Sequence, residues 1–294
     1  MPSKTARLRK LLARDEILMA PGAHDALTAR IAEVCGFEAV YMTGAGTVNT
    51  QLGMPDHSII TLTEMVHNAA RLAGATTLPI VSDADTGYGG VLNVMRTIQE
   101  FQQAGIAGVH IEDQVMPKRC GHLKGKEIIP IEEMTGKIRA ACHARTDPDF
   151  LIIARVDARA PLGFDEAVRR GKAYMEAGAD MIFPEALESE EELRDFARQL
   201  SAPLLANMTE YGKTPYLTAA RFQDMGYRMV IYPVSAMRVA IKAIYELFTE
   251  IRRTGTQKQS LKRMFTREQL YDLIDYHEML DLEKQFSGEA PKET

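Results

Sequence analysis

Gln103-Ala104-Gly105-Ile106-Ala107-Gly108-Val109-His110-Ile111-Glu112-Asp113 compresses the logic of the whole chain. A glycine just past a helix end takes the left-handed conformation cheaply, so Gly105 reads as a helix cap. Residues 108–111 form a short run, apolar on both faces, as in a strand covered by helices on one side and packed on the other. Two carboxylates follow at once. The same helix-to-strand joint recurs at Val34-Cys35-Gly36-Phe37, Glu176-Ala177-Gly178-Ala179 and Asp224-Met225-Gly226-Tyr227. Short apolar runs stand at 17–20, 39–42, 78–81, 108–111, 150–154, 181–183, 204–206 and 229–232. The stretches between them are long enough for helices, as parallel strands require. Eight such units predict an α/β chain folded as a (β/α)₈ barrel of the TIM type.

The chain has 294 residues, 46% of them hydrophobic and 26% charged. That supports a large core and excludes a disordered protein. A net charge of −5 without a basic block argues against a nucleic-acid partner. No apolar run approaches the roughly 18 residues of a membrane span. The basic N-terminus, residues 1–10, lacks the apolar segment of a secretion signal and reads as a solvated first turn. Three cysteines without a CxxC pair suggest a reducing, cytoplasmic setting. Cys35 and Cys142 fall in apolar helical contexts and are expected to pack.

Beyond the eighth strand, residues 234–253 have helical spacing and residues 255–258 read as a linker. Thr266-Arg267-Glu268-Gln269 has the form of a capping box, and Leu270, Leu273, Ile274 and His277 then share one helical face. Such a stripe needs cover, either on its own barrel or on a neighbouring subunit. The expected organisation is a barrel over 1–255, a helical extension over 256–286 and a disordered tail over 287–294.

Polar and ionisable residues, with two small ones beside Thr43, gather at or just after the C-terminal ends of the predicted strands. They are Thr43, Gly44 and Ala45 after the second; Asp83 and Asp85 after the third; Glu112 and Asp113 after the fourth; Arg155 and Asp157 after the fifth. Glu185 follows the sixth, Asn207 and Thr209 the seventh, Ser235 and Arg238 the eighth. In a parallel barrel these ends converge on one mouth. Asp83 and Asp85, two apart, can face the same way. With Glu112 they form an all-oxygen set suited to Mg²⁺, with Mn²⁺ as the alternative ion. Zinc would want His or Cys ligands in patterns that the chain lacks. His110, inside a strand, reads as a satisfied interior histidine. Lys118-Arg119-Cys120-Gly121-His122 places a cysteine among cations, which favour the thiolate and make it a proton donor or acceptor near neutral pH. Arg155, Arg238 and Arg267 suit a substrate with several carboxylates.

These segments, with Tyr41-Met42-Thr43-Gly44-Ala45-Gly46 and Asp83-Ala84-Asp85-Thr86-Gly87-Tyr88-Gly89, resemble the isocitrate lyase and phosphoenolpyruvate mutase superfamily. The likeness runs from about Pro21 to Phe286. Phe183-Pro184-Glu185-Ala186 and residues 205–210 are similar to its branch of carbon–carbon lyases that split a methylated tricarboxylate into pyruvate and succinate.

The resemblance implies Mg²⁺ on Asp83, Asp85 and Glu112. The pyruvyl carboxylate would lie on Thr43, Gly44 and Ala45, and Arg155 on the pyruvyl part beside Glu185. Asn207, Thr209, Arg238 and Arg267 would hold the remaining carboxylates, with Gly121 and His122 in the substrate loop. Cys120 would protonate the departing carbanion, and Tyr41 is the expected base for the substrate hydroxyl. It also implies a homotetramer with C-terminal helices swapped between subunits. Val156, where threonine is common, and Ala45, where glycine is usual, depart from the pattern beside the pyruvyl pocket. Dicarboxylate cleavage (2,3-dimethylmalate, or oxaloacetate hydrolysis or decarboxylation) and a carboxyphosphonoenolpyruvate mutase are the rival chemistries on this scaffold.

Overall fold

A computed structural model describes residues 2–119, 121 and 125–287. Cys120 and His122 therefore lie outside the described residues, as does all but the first residue of the expected tail. The eight strands are β1 (Leu18–Ala23), β2 (Val40–Met42), β3 (Ile80–Asp83), β4 (Gly108–Glu112), β5 (Leu151–Val156), β6 (Met181–Pro184), β7 (Leu205–Asn207) and β8 (Met229–Tyr232). All pairs are parallel, in the order β6-β5-β4-β3-β2-β1-β8-β7. A parallel bridge between Ile182 and Leu204 joins the two ends and nearly closes the (β/α)₈ barrel. Every strand lies within about three residues of its expected place at each end. The cap glycines behave as read: Gly36, Gly105, Gly178 and Gly226 have φ of 84°, 81°, 109° and 94°, the region that a side chain would disfavour.

Alternate strand residues divide between two cores, as the two-residue period demands. Leu18, Tyr41, Val81, Ile153, Phe183, Leu205 and Ile231 belong to the inner cluster, with Leu8 and Leu11 of α1 (Lys4–Leu12). Val40, Ile80, Val109, Ile152, Ile182 and Val230 belong to the outer one, under the helices.

The N-terminal helix is therefore no solvated turn. Lys4 Nζ donates to the carbonyls of Ala73 and Thr76, and Arg9 donates to those of Asp149 and Phe150 and pairs with Asp180 at 2.9 Å. These partners precede β3, β5 and β6, so α1 plugs the end of the barrel opposite the carboxylates. Leu8, fully buried, fills that plug. Leu8→Ala is expected to cost about 3 kcal/mol of stability through the cavity it leaves. Denaturant unfolding reads this, and an unchanged midpoint would show that the plug is not needed.

The chain divides into compact units at Met237 and Arg238, inside α11 (Ser235–Thr254). In the second unit Gly255 ends that helix at φ 71°, and residues 258–263 form a 3-10 turn. Thr266 and Gln269 make the expected capping box at the start of α12 (Arg267–Leu273). The single helix expected through His277 is broken, because Asp275 turns to φ 54° and α13 (Tyr276–Ser287) starts afresh. Leu273 is buried, while Arg238 and Arg267 are exposed. No described helix is long and apolar enough to cross a membrane. Cys142 is half-buried and its thiol meets the Gly178 carbonyl at 3.2 Å. Cys35, expected to pack, is exposed at the end of its helix.

Candidate active site

The carboxylates come together at the C-terminal ends of the strands. Asp83 and Glu112 are the last residues of β3 and β4, and Asp85 lies two beyond Asp83. Asp85 adopts φ 46°, a costly conformation of the kind that clusters at functional sites. It is held there because its backbone N–H donates to Asp83 Oδ1 at 2.9 Å and its carbonyl accepts from Glu112 N at 2.9 Å. Arg155 and Asn207, expected just after their strands, sit within β5 and at the end of β7.

Arg155 is the hub of the opposite wall. Its Nε donates to Asp157 Oδ2 at 2.8 Å and stands 3.3 Å from Glu112 Oε2, while Nη2 stands 3.3 Å from Glu185 Oε2. The guanidinium lies over the Phe183 ring, 5.2 Å from its centroid. Asn207 Nδ2 donates to both Glu185 oxygens, at 3.3 and 3.2 Å. Burial opposes the charge of Arg155, but Asp157, Glu112 and Glu185 outweigh it and hold its pKa well above the ordinary value.

Two residues that the sequence did not single out complete the cluster. Lys118, read only as a neighbour of the cysteine, reaches Asp85 Oδ1 at 3.0 Å and Asp56 Oδ2 at 2.7 Å. Asp56 comes from the stretch after α3 (Gly44–Leu52), far from any strand end, so no periodicity marked it. Burial pulls Lys118 down, yet Asp85, Glu112, Asp56 and Asp83 together keep it firmly protonated.

Among the described residues, six carboxylates (Asp56, Asp83, Asp85, Glu112, Asp157 and Glu185) thus face three cations, Lys118, Lys126 and Arg155. The surplus shows in the acids. Burial, only partly offset by Lys118, lifts Asp85 to about 6. Burial also lifts Asp83 and takes Glu112 far above the carboxylate range. Among the described residues neither Glu112 oxygen has a hydrogen-bond donor, though both are buried. Buried carboxylate oxygens normally find donors. All-oxygen donors, excess negative charge and orphaned lone pairs together fit a hard divalent cation such as Mg²⁺.

Thr43 caps α3, accepting from Gly46 N at 3.1 Å, which leaves the first amides of that helix as an anion site. Any Cβ at Gly44 would collide with Asp83 Oδ2, so only glycine lets this helix start so close to the acidic cluster. Ala45 follows on the same turn, and Thr209 is half-buried after β7. His24, just past β1, is another residue missed in the sequence; its Nδ1 is buried without a hydrogen bond. The Tyr88 hydroxyl is likewise buried and unbonded beside Asp85.

His110 is interior, as expected, but only half satisfied: Nε2 lies 2.8 Å from the Tyr41 hydroxyl, while Nδ1 is buried without a hydrogen bond among the described residues, and burial lowers its pKa to about 3. Tyr41, the expected base, is buried. Burial, reinforced by Asp83, pushes its phenol far above 10, and its hydrogen-bond partner is a histidine too weakly basic to take the proton. Arg238 and Arg267 belong to the second unit.

Comparison with known proteins identifies the family. The family model described as phosphoenolpyruvate phosphomutase matches residues 8–252. The chain is 49% identical to 2-methylisocitrate lyase of Bacillus subtilis (strain 168) over 278 residues, 95% of this chain and 91% of that protein. The crystal structure of a 2,3-dimethylmalate lyase, a member of the PEP mutase/isocitrate lyase superfamily, superposes with TM-score 0.91 at 39% identity. The match covers 97% of this chain and 96% of that one. Phosphonopyruvate hydrolase in complex with oxalate and Mg²⁺ superposes with TM-score 0.88 at 32% identity, covering 97% and 99%. This chain belongs to the phosphoenolpyruvate phosphomutase family, within the isocitrate lyase and PEP mutase superfamily.

Proposed function

We propose that the protein is a Mg²⁺-dependent carbon–carbon lyase that cleaves 2-methylisocitrate to pyruvate and succinate. The observation that carries this reading is the unbonded, buried Glu112 carboxylate beside Asp83 and Asp85, 3.3 Å from Arg155. That corner suits a divalent cation and a keto-acid carboxylate side by side. Support comes from the 2-methylisocitrate lyase relative and from the Mg²⁺–oxalate complex of the related hydrolase.

Asp83, Asp85 and Glu112 hold the ion, and when bound it supplies Lewis-acid stabilisation of charge developing on substrate oxygens. The amides of Gly44 and Ala45 bind the pyruvyl carboxylate at the helix terminus. Arg155, fixed by Asp157, orients the pyruvyl part, and Glu185 keeps Arg155 and Asn207 in place. Tyr41 acts as a neutral hydroxyl that orients an oxygen, not as the proton acceptor. Asn207, Thr209, Arg238 and Arg267 bind the other two carboxylates. Cys120, with Gly121 and His122 in its loop, delivers a proton to the succinate carbon. The assembly is a homotetramer with exchanged C-terminal helices, a reading supported by Phe248, Phe265, Met279 and Phe286, all more than 60% exposed.

The test is an assay of purified protein with Mg²⁺ against 2-methylisocitrate, 2,3-dimethylmalate, isocitrate and oxaloacetate. Scored as pyruvate or glyoxylate release, turnover of the first is expected to exceed that of the two dicarboxylates in kcat/KM by on the order of 100-fold, because a dicarboxylate leaves charged groups unpaired, and that of isocitrate, which lacks only the methyl group, by about 10-fold. Preference for 2,3-dimethylmalate, the reading favoured by the superposed crystal structure, would move the assignment to that acid.

A further inference from the structure

Lys126 and Asp157 form an ion pair at 2.7 Å whose side chains are 1% and 0% exposed. The same ammonium donates to the Gly121 carbonyl at 2.6 Å. Burying a lysine costs desolvation and rotamer freedom, so a position that needed only packing would be served by an apolar side chain.

Asp157 is a fixed point. Its backbone N–H donates to Asp113 Oδ1 at 2.8 Å, and Asp113 Oδ2 accepts from Tyr174 Oη at 2.7 Å and Arg170 Nη1 at 3.1 Å. Its carboxylate takes Arg155 in a two-pronged grip, through Nε at 2.8 Å and Nη2 at 3.2 Å. Ile129 is tied to the same anchor, its N–H donating to the Asp113 carbonyl at 3.0 Å and its carbonyl accepting from Arg170 at 2.9 Å. Gly121 is so close to the site that a Cβ there would strike Arg155 Nη2 and Glu185 Cγ. One ammonium therefore links the backbone touching Arg155 to the carboxylate that aims Arg155.

We propose that Lys126 is a positioning residue: by bridging Asp157 and the Gly121 carbonyl it sets how Gly121 meets the Arg155–Glu185 pair, and so fixes the substrate arginine. This rests on the reading of Arg155 as the residue that binds the pyruvyl part. A shift of about 1 Å at such a contact costs on the order of 100-fold in rate.

The experiment compares the full-length wild type with Lys126→Met, Asp157→Asn and the double variant, by steady-state kinetics on 2-methylisocitrate with Mg²⁺ and by backbone hydrogen exchange over residues 114–130. Lys4→Met is the control for a lysine that ties carbonyls far from the site. Lys126→Met is expected to lower kcat about 100-fold with KM changed less than about threefold, and to speed exchange of that segment about tenfold. Lys4→Met keeps wild-type kinetics and exchange there. In the Asp157→Asn background, Lys126→Met is expected to add less than about a twofold loss, because the two act as a unit. Wild-type kcat or exchange in Lys126→Met, or full multiplication of the two losses, would overturn the proposal. If the wild type cleaved none of the acids tested, the lyase reading would fail, while the exchange arm would still decide the clamp.

Discussion

Asp85→Asn is expected to lower kcat/KM by about 10³-fold, equivalent to about 4 kcal/mol of transition-state stabilisation, in a protein that still folds. Asparagine tolerates the left-handed conformation that Asp85 adopts at φ 46°. The backbone bond to Asp83 Oδ1 and the carbonyl bond to Glu112 N do not involve the side chain. What disappears is one of three carboxylates around the ion, and affinity for such ions follows the ligand charge count. Melting measured across a Mg²⁺ titration separates fold from function. Wild type should be stabilised as the ion binds, and the variant should melt normally but respond only at much higher Mg²⁺. Chelator should likewise abolish wild-type turnover until Mg²⁺ is returned. Full activity in the variant, or in chelator, would remove the ion from the reaction.

Cys120→Ser should be nearly as damaging, about 10³-fold in kcat with substrate affinity within a fewfold. A serine hydroxyl is far less acidic than a thiol, so a proton deliverable near neutral pH is lost while shape is kept. The neighbours of this residue are well anchored. Arg119 exchanges two hydrogen bonds with the Gln114 amide, at 3.0 and 2.9 Å, and Lys118 N donates to Ser58 Oγ at 2.8 Å. Single-turnover assays with a titration of substrate binding test this. Unchanged turnover would exclude the thiol as proton donor.

The barrel was readable because its signal is local and repeated. The joint at Gly105 and its three counterparts each need a positive φ, and each marks a strand about three residues on. Asp83, Asp85 and Glu112 were readable for the same reason, since a strand end is a place that periodicity can find. Asp56, Lys118 and Lys126 were not legible as site residues, because their partners (Lys118, Asp85 and Asp157) are 62, 33 and 31 residues away in sequence. Only folding brings an isolated acid or base to such a partner. The break at Asp275 was also invisible, because the apolar spacing runs through it and nothing but a backbone turn interrupts the helix. The surroundings of Tyr41 were likewise illegible, because the acidity of its phenol depends on burial and on Asp83, 42 positions on, which no motif reports.

The plug formed by α1 has a consequence for vectorial synthesis on the ribosome. Its residues are made before those they dock on: Arg9 meets carbonyls and a carboxylate 140 and 171 positions later, and Arg228 closes on the Arg14 carbonyl 214 positions on. The nascent helix must therefore wait, with Leu8 and Leu11 uncovered, until most of the polypeptide has emerged. An affinity tag fused at this terminus would load the last piece of the barrel floor to settle, whereas one after residue 287 would leave that step alone.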